Sequence, residues 1–146
     1  MAIIFKYVHV PRKDGTLRRA PYIPIFVNNK EGKLIRLVAL IDSGADYSIV
    51  PKDLAIFLGL KEHDVGEGKT SGIGGDVNVR GSTLRFAVKG DRENYPLEVP
   101  VLILQDENLD VPLLLGRNGF FEEFEITFKQ NEEKIYLKKI NPNKIY

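Results

Sequence analysis

The sequence predicts an all-β fold in which many short strands close into a barrel or pack as a sandwich. Short segments rich in Ile, Val, Leu, Phe and Tyr recur along the chain, separated by turn-forming Gly, Pro, Asn and Asp. One segment, residues 51–60, stands out by placing apolar side chains at helical spacing. At 146 residues and 43% hydrophobic content, the chain is long enough to bury a real core.

The N-terminal part predicts two successive hairpins. Asp14-Gly15 tolerates the positive φ of a tight turn, and Pro21 and Pro24 favour an edge or irregular position for the strand beside them. The expected elements are a strand over 3–10, a turn over 13–16, a strand over 22–27, a turn over 28–32 and a strand over 34–41.

Residues 51–60 are the best helix candidate. Pro51 suits a first helical turn, Leu54, Phe57 and Leu58 lie at helical spacing, and Gly59 is typical of a C-cap. The segment therefore predicts a short helix after the strand that ends at residue 41.

The C-terminal part predicts further strands and one short helix. The expected strands cover 77–79, 84–88, 97–104, 113–115, 125–129 and 134–140, with a turn-rich stretch over 66–75, a helix over 119–124 and a turn over 130–133. No repeat or linker divides the chain. We therefore expect one domain over residues 1–146, with an N-terminal hairpin (1–20) and a C-terminal tail (141–146) as extensions.

Composition excludes several classes of site. The chain has no cysteine, so thiol catalysis, disulfides and thiolate metal sites are ruled out. Its two histidines, His9 and His63, are far apart in sequence, which disfavours a metal site or a Ser–His triad. We expect no metal and no cofactor.

Net charge and hydropathy predict neither a polyanionic partner nor a membrane-spanning segment. The net charge is +1 without a long run of one sign, so no nucleic-acid partner is expected. The N-terminus lacks the features of a signal peptide, and no apolar run approaches the roughly 20 residues that span a membrane. A cytoplasmic protein without a membrane partner is the expectation.

An acidic turn follows the strongest apolar strand. Residues 37–41 lead directly into the sequence Asp42, Ser43, Gly44, Ala45, Asp46. This delivers a carboxylate on a tight glycine turn at the exit of a strand that should be buried, and carboxylates are rarely buried without a partner or a purpose. A motif of this kind arises by chance in roughly one chain in a hundred of this length, given average residue usage.

Two further motifs follow the acidic turn. A glycine-rich stretch contains Gly72, Ile73, Gly74 and Gly75, and an apolar run leads into Leu115, Gly116, Arg117 and Asn118. Together with the acidic turn, they resemble the motifs of retropepsins, the retroviral-type aspartic proteases that carry half an active site per chain. The resemblance spans about residues 22–140 and is closer to cellular and prokaryotic members, and to the DNA-damage-inducible type, than to the minimal viral enzymes.

The resemblance implies a retropepsin-like acid-protease barrel with a flap hairpin and one or two short helices. It also implies an aspartic endopeptidase in which Asp42 from each subunit of a homodimer activates a water for attack on a peptide or unfolded-protein substrate. Such dyads work because two neighbouring carboxylates share one proton. One Asp-Ser-Gly per chain therefore requires a second, identical subunit.

The resemblance assigns roles to the neighbouring residues. Ser43, at a position where most relatives have Thr, would hydrogen-bond across the dimer, and Asp46 would pair with Arg117. Leu115, Gly116 and Asn118 would support the active-site loop, and Gly72, Ile73, Gly74 and Gly75 would form the flap. Ala45 offers no hydroxyl to an ionised carboxylate, so activity is expected nearer neutral pH than in relatives with Ser or Thr there.

Two other interpretations of the sequence remain open. The chain could be a dimerisation or peptide-binding module that keeps the fold but cleaves nothing, although intact Ser43 and Gly44 argue against degeneration. It could also be a monomeric β-domain in which Asp42 is an ordinary turn residue.

Overall fold

In the computed structural model, residues 2–65 and 77–140 are described, and they are mostly β-structure. The strands are β1 (Ile3–Lys6), β2 (Val8–Pro11), β3 (Leu17–Ala20), β4 (Tyr22–Asn28), β5 (Leu34–Ile41), β6 (Ser48–Val50), β7 (Val79–Lys89), β8 (Asn94–Leu104), β9 (Leu114–Leu115), β10 (Phe124–Lys129) and β11 (Lys134–Lys139). One short helix, α1 (Lys52–Leu58), follows β6.

Six strands form a closed barrel in the order β4-β5-β9-β6-β8-β7. The short strand β9 lies between β5, which it pairs in parallel, and β6, which it pairs antiparallel. β4 also contacts β7, at Phe26 opposite Ala87, and this closes the barrel. The expected all-β barrel is confirmed, whereas the edge position suggested for β4 is wrong because β4 has a neighbour on each side.

The N-terminal segment 3–10 forms two strands in different sheets, not the single strand expected. β1 joins β11 and β10 in a three-stranded sheet, whereas β2 pairs with β3 as a separate hairpin. The change occurs at Tyr7, whose side chain is buried and whose N–H donates to the Glu133 carbonyl at 2.7 Å. The contact that splits the strand therefore comes from the far end of the sequence.

The predicted helix is present, slightly shorter than expected. α1 begins after Pro51 and ends at Gly59, which has φ +71 and caps the Ala55 and Ile56 carbonyls. Glycine suits this position because other residues are strained at positive φ.

One strand was not expected, and two expected segments are one strand. β6 (Ser48–Val50) is fully buried, and β7 runs without interruption through Gly81, where a break was expected. A Cβ at Gly81 would lie 2.4 Å from the His63 ring and 2.6 Å from Val65. A close crossing of two segments, not a turn, therefore favours glycine there.

The segment after β9 turns sharply into the core. Residues Arg117–Phe121 form a kinked turn in place of the helix expected over 119–124, because Asn118 and Gly119 have non-helical dihedral angles, with Gly119 at φ +91. Phe120 in this turn is fully buried and packs against Phe86 and Phe124, with ring centroids 6.2 and 5.2 Å away. Burial of one large aromatic side chain, worth about 1.5–3 kcal/mol, anchors the turn beneath the barrel.

Candidate active site

The end of β5 is buried on both faces. Ala39 and Ile41 belong to the main core, and Leu40 packs on the opposite side with Ala20 and Tyr22. This double burial explains the apolar run at 39–41, which replaces the alternation typical of a strand with one exposed face, whereas Val38, earlier in the run, is exposed. The strand is thereby fixed up to the residue that precedes Asp42.

Asp42 is positioned by the neighbouring strand β9. The Leu40 N–H donates to the Leu113 carbonyl at 2.9 Å, and the Asp42 N–H donates to the Leu115 carbonyl at 3.0 Å. Leu115 is fully buried, and Leu113 nearly so. The backbone of Asp42 is therefore held by a strand that is itself anchored in the core.

The loop after Asp42 folds back onto it. The Gly44 N–H donates to Asp42 Oδ1 at 2.9 Å, and the Ala45 N–H donates to the Asp42 carbonyl at 3.2 Å. A Cβ on Gly44 would lie 3.3 Å from Asp42 Oδ1, a tight approach that favours glycine. Asp42 is half-buried, whereas Ser43 and Gly44 are exposed. Within one chain, the loop therefore presents its tip to solvent.

Gly116 lies where two segments approach closely. Its N–H donates to Ser48 Oγ at 3.1 Å, inside the protein. A Cβ at this position would lie 2.5 Å from the Tyr47 carbonyl oxygen and 2.8 Å from that of Ala45. Because those atoms are backbone and cannot swing away, only glycine fits here.

Arg117 and Asn118 connect the second motif to the first. Their N–H groups donate to the carbonyls of Ala45, at 2.9 Å, and Asp46, at 2.8 Å. The Arg117 guanidinium also forms an ion pair with Asp46, the contact expected from the resemblance. Both side chains remain more than half exposed. The motifs, 71 residues apart between these partners, thus form one braced loop through main-chain bonds, side-chain contacts and close packing.

Ser48 is the residue of this region that sequence reasoning missed. It is fully buried and lies in the unexpected strand β6. The available signal was a lone hydroxyl in an apolar stretch just before the helix, because buried polar groups need a partner.

The four flap residues expected from the sequence, Gly72, Ile73, Gly74 and Gly75, lie outside the described residues. The chain on either side of that segment is paired: His63 and Gly81 exchange backbone hydrogen bonds of 2.9 and 2.8 Å. Residues 63 and 81 are therefore held side by side at the barrel.

A polar cluster braces this same place. Glu62 accepts hydrogen bonds from Lys52 at 2.6 Å and Gln105 at 3.3 Å, and pairs with Arg80 at 3.2 Å. The hydrogen bond from Lys52 is the main cause that holds the pKa of Glu62 below its usual value. The cluster ties α1, β7 and β8 together.

Within residues 2–65 and 77–140, no three His, Cys, Asp or Glu side chains are grouped so as to hold a metal ion. No helix there is long and apolar enough to cross a membrane.

Comparison with known proteins identifies the fold. No protein-family model matches the sequence, and no curated protein matches it either. Among solved structures, a retropepsin-like aspartic protease from Rickettsia conorii is similar over 94% of this chain and 90% of its own, with 22% identity and a TM-score of 0.54. The EIAV protease in complex with the inhibitor HBY-793 is similar over 74% and 88%, with 22% identity and a TM-score of 0.51. The chain thus has the retropepsin-like fold.

Proposed function

We propose that this protein is an aspartic endopeptidase whose active site forms between two copies of the chain, each contributing Asp42. One observation carries the proposal. A single half-buried carboxylate lies at the start of an exposed glycine loop that main-chain bonds from β9 and from Arg117 and Asn118 hold in place. A structural aspartate in a turn does not need such bracing from a distant segment.

The chemistry follows from the pairing of two carboxylates. One Asp42 accepts a proton from a water molecule as that water attacks the scissile carbonyl, and the other, protonated, donates to the carbonyl oxygen. The first Asp42 then gives its proton to the leaving nitrogen as the C–N bond breaks, and the second recovers a proton from the tetrahedral diol, so no covalent intermediate with the protein is required. The exposure of Ser43 and Gly44 supports this arrangement, since a loop tip that is open in one chain is free to meet its copy about a two-fold axis.

The remaining motif residues act by positioning. Arg117 and Asp46 fix the far end of the loop, and Gly116 allows that loop to pack against β9. An extended substrate would lie along the loop and pair by backbone hydrogen bonds, as peptides do at exposed strand edges. The expected flap residues would cover it from the other side.

The direct test compares wild type with Asp42→Asn on an unfolded protein and on a peptide library. We expect cleavage by wild type and none by the variant, because the amide cannot accept the water's proton. Asp91→Asn, at an exposed turn, is the matched control and should cleave normally. Equal behaviour of wild type and Asp42→Asn would reject the enzymatic proposal and leave a peptide-binding module.

Subunit mixing tests whether the site is shared. When wild type and Asp42→Asn are mixed equally and allowed to exchange, random pairing leaves roughly a quarter of the activity of an equal total amount of wild-type protein if both aspartates are needed. An active monomer would instead keep roughly half, since each chain would work alone. Sedimentation of wild type should show a dimer under the assay conditions.

A further inference from the structure

The hairpin β2–β3, which we call the basic arm (residues 8–20), concentrates positive charge. It contains four Arg or Lys residues and one aspartate, a net charge of +3, whereas the whole chain carries only +1. The rest of the protein is therefore net negative. Residues 11–19 of the arm are all exposed.

One face of the basic arm is used for anchoring. His9 and Arg19 lie opposite each other across the hairpin, and both contact the Glu133 carboxylate, at 2.9 and 2.5 Å. Directly opposite residues share a face of the sheet. These two basic side chains thus fix the arm to the turn between β10 and β11 and are already occupied.

The other face of the arm lies towards the candidate active site. Val10 and Ala20 pack with Leu40 and Leu114, which belong to the strands that position Asp42. Arg18 is directly opposite Val10 and so projects from this same face. The arm is only about 13 Å long, from four residues per strand at 3.3 Å each, so its charges stay close to those strands.

The tip of the arm is tied together by hydrogen bonds, and its cations are exposed. The Arg12 N–H donates to the Thr16 carbonyl at 2.7 Å, and Asp14 accepts hydrogen bonds from the Thr16 N–H and hydroxyl. The single acid of the arm is thus engaged within the turn. Among the described residues, no ion pair neutralises Arg12, Lys13 or Arg18.

We propose that the basic arm binds acidic residues of the polypeptide substrate, away from the bond that is cut. The inference rests on the proposed function for its substrate. The two Asp42 carboxylates of the proposed site share one proton and so keep a negative charge, which repels acidic side chains from the cleavage position itself. Arg12, Lys13 and Arg18 offer such side chains a favourable site nearby. The arm has no Phe, Tyr or Trp on which a nucleic-acid base could stack, and its one imidazole, His9, is held by Glu133.

The first test measures binding without cleavage. Asp42→Asn protein is titrated into a fluorescent peptide containing a Glu-rich segment and, separately, into the same peptide with Gln for Glu. We expect the acidic peptide to bind about tenfold more tightly, the effect of about three exposed ion pairs, and to lose this advantage at high salt. Equal affinity for the two peptides would overturn the proposal.

Two triple variants that change the net charge equally test whether the preference for the acidic peptide arises from the basic arm. Adding Arg12→Glu, Lys13→Glu and Arg18→Glu should abolish the preference for the acidic peptide. Adding Lys33→Glu, Arg92→Glu and Lys138→Glu, at exposed positions elsewhere, should retain it. Equal loss in both variants would show that only net charge matters, and the arm would have no special role.

Cleavage assays distinguish failure of the basic-arm proposal from failure of the endopeptidase proposal. If wild type cuts nothing but the arm-dependent preference persists, the endopeptidase proposal fails and the arm remains an acidic-peptide site. If wild type cuts acidic and neutral peptides with equal kcat/KM and the arm variant does the same, the arm proposal fails and the endopeptidase stands. Two further results would overturn the arm proposal. One is arm-dependent binding of a single-stranded oligonucleotide that is tighter than binding of the acidic peptide of equal charge. The other is loss of the dimer in the arm variant.

Discussion

The hydroxyl of Ser48 accepts the backbone N–H of Gly116 at 3.1 Å, within the fully enclosed interior beside the candidate active-site loop. This bond joins β6 to the second sequence motif. It satisfies a buried donor that has no partner in the regular strand pairing. Ser48 is therefore structurally important, although its side chain is small.

Ser48→Ala should lower the free energy of unfolding by about 1–3 kcal/mol, because it leaves the buried Gly116 N–H without an acceptor. Urea unfolding of the two proteins measures the difference. Thr83→Ala, at an exposed position, is the control and should change stability by less than about 0.5 kcal/mol. Equal stability of Ser48→Ala and wild type would mean that the N–H finds another acceptor.

Gly116→Ala should be more damaging than Ser48→Ala. The added methyl group would meet the carbonyl oxygens of Tyr47 and Ala45 at 2.5 and 2.8 Å, so the loop must shift or the strand must separate. We expect at least about 2 kcal/mol of destabilisation, the scale of overpacking in a tight site, together with loss of activity. Normal unfolding and normal activity in this variant would contradict the close packing described above.

The ion pair of Asp46 and Arg117 should matter more for activity than for stability. Both side chains are largely exposed, and exposed pairs contribute only about 0.2–1 kcal/mol. A double-mutant cycle with Asp46→Asn and Arg117→Gln should therefore give a small coupling energy in unfolding and a larger coupling in kcat/KM. A large coupling energy in unfolding with none in kcat/KM would contradict a positioning role for Asp46 and Arg117.

Glu62 should make stability depend on pH. Its pKa is lowered in the folded protein, chiefly by the hydrogen bond from Lys52, so ionised Glu62 favours folding. The contribution, about 1 kcal/mol for a partly buried pair, is complete above the ordinary Glu value of 4.5 and is lost as the pH falls through the lowered folded value.

Glu62→Gln tests this by denaturant unfolding at several pH values. The difference from wild type should be present at neutral pH and disappear in strong acid. Glu107→Gln, at an exposed position, should show no such trend. A difference between Glu62→Gln and wild type that is constant with pH would indicate lost packing instead of lost charge.

Ala45 should set the pH range of cleavage. It presents no hydroxyl to an ionised Asp42, so we expect activity nearer neutral pH than in a protein with a hydroxyl at this position. Ala45→Ser should move the pH–rate profile towards acid. A wild-type profile that peaks only in strong acid would reject this explanation.

Local sequence was sufficient wherever a signal lies within a few residues. The turn at Asp14-Gly15, the C-cap at Gly59 and the loop beginning at Asp42 were all predictable, because each depends on backbone conformation and side chains close in sequence. The link between Asp46 and Arg117 was predictable only through resemblance to a known family. Composition and periodicity alone carry no information about partners so distant in sequence.

The amino-acid sequence by itself determined the β-class of this protein and its acidic glycine loop, and through a family resemblance it led to the proposal of a second carboxylate from another copy of the chain. Tertiary structure decided what braces that loop and what lies beside it. The buried strand of Ser48 and the break at Tyr7 depend on pairing between distant segments, and the approach of the basic arm to Leu40 depends on packing between strands. Such contacts form only when the whole chain closes into the barrel, so no local preference in the sequence could specify them.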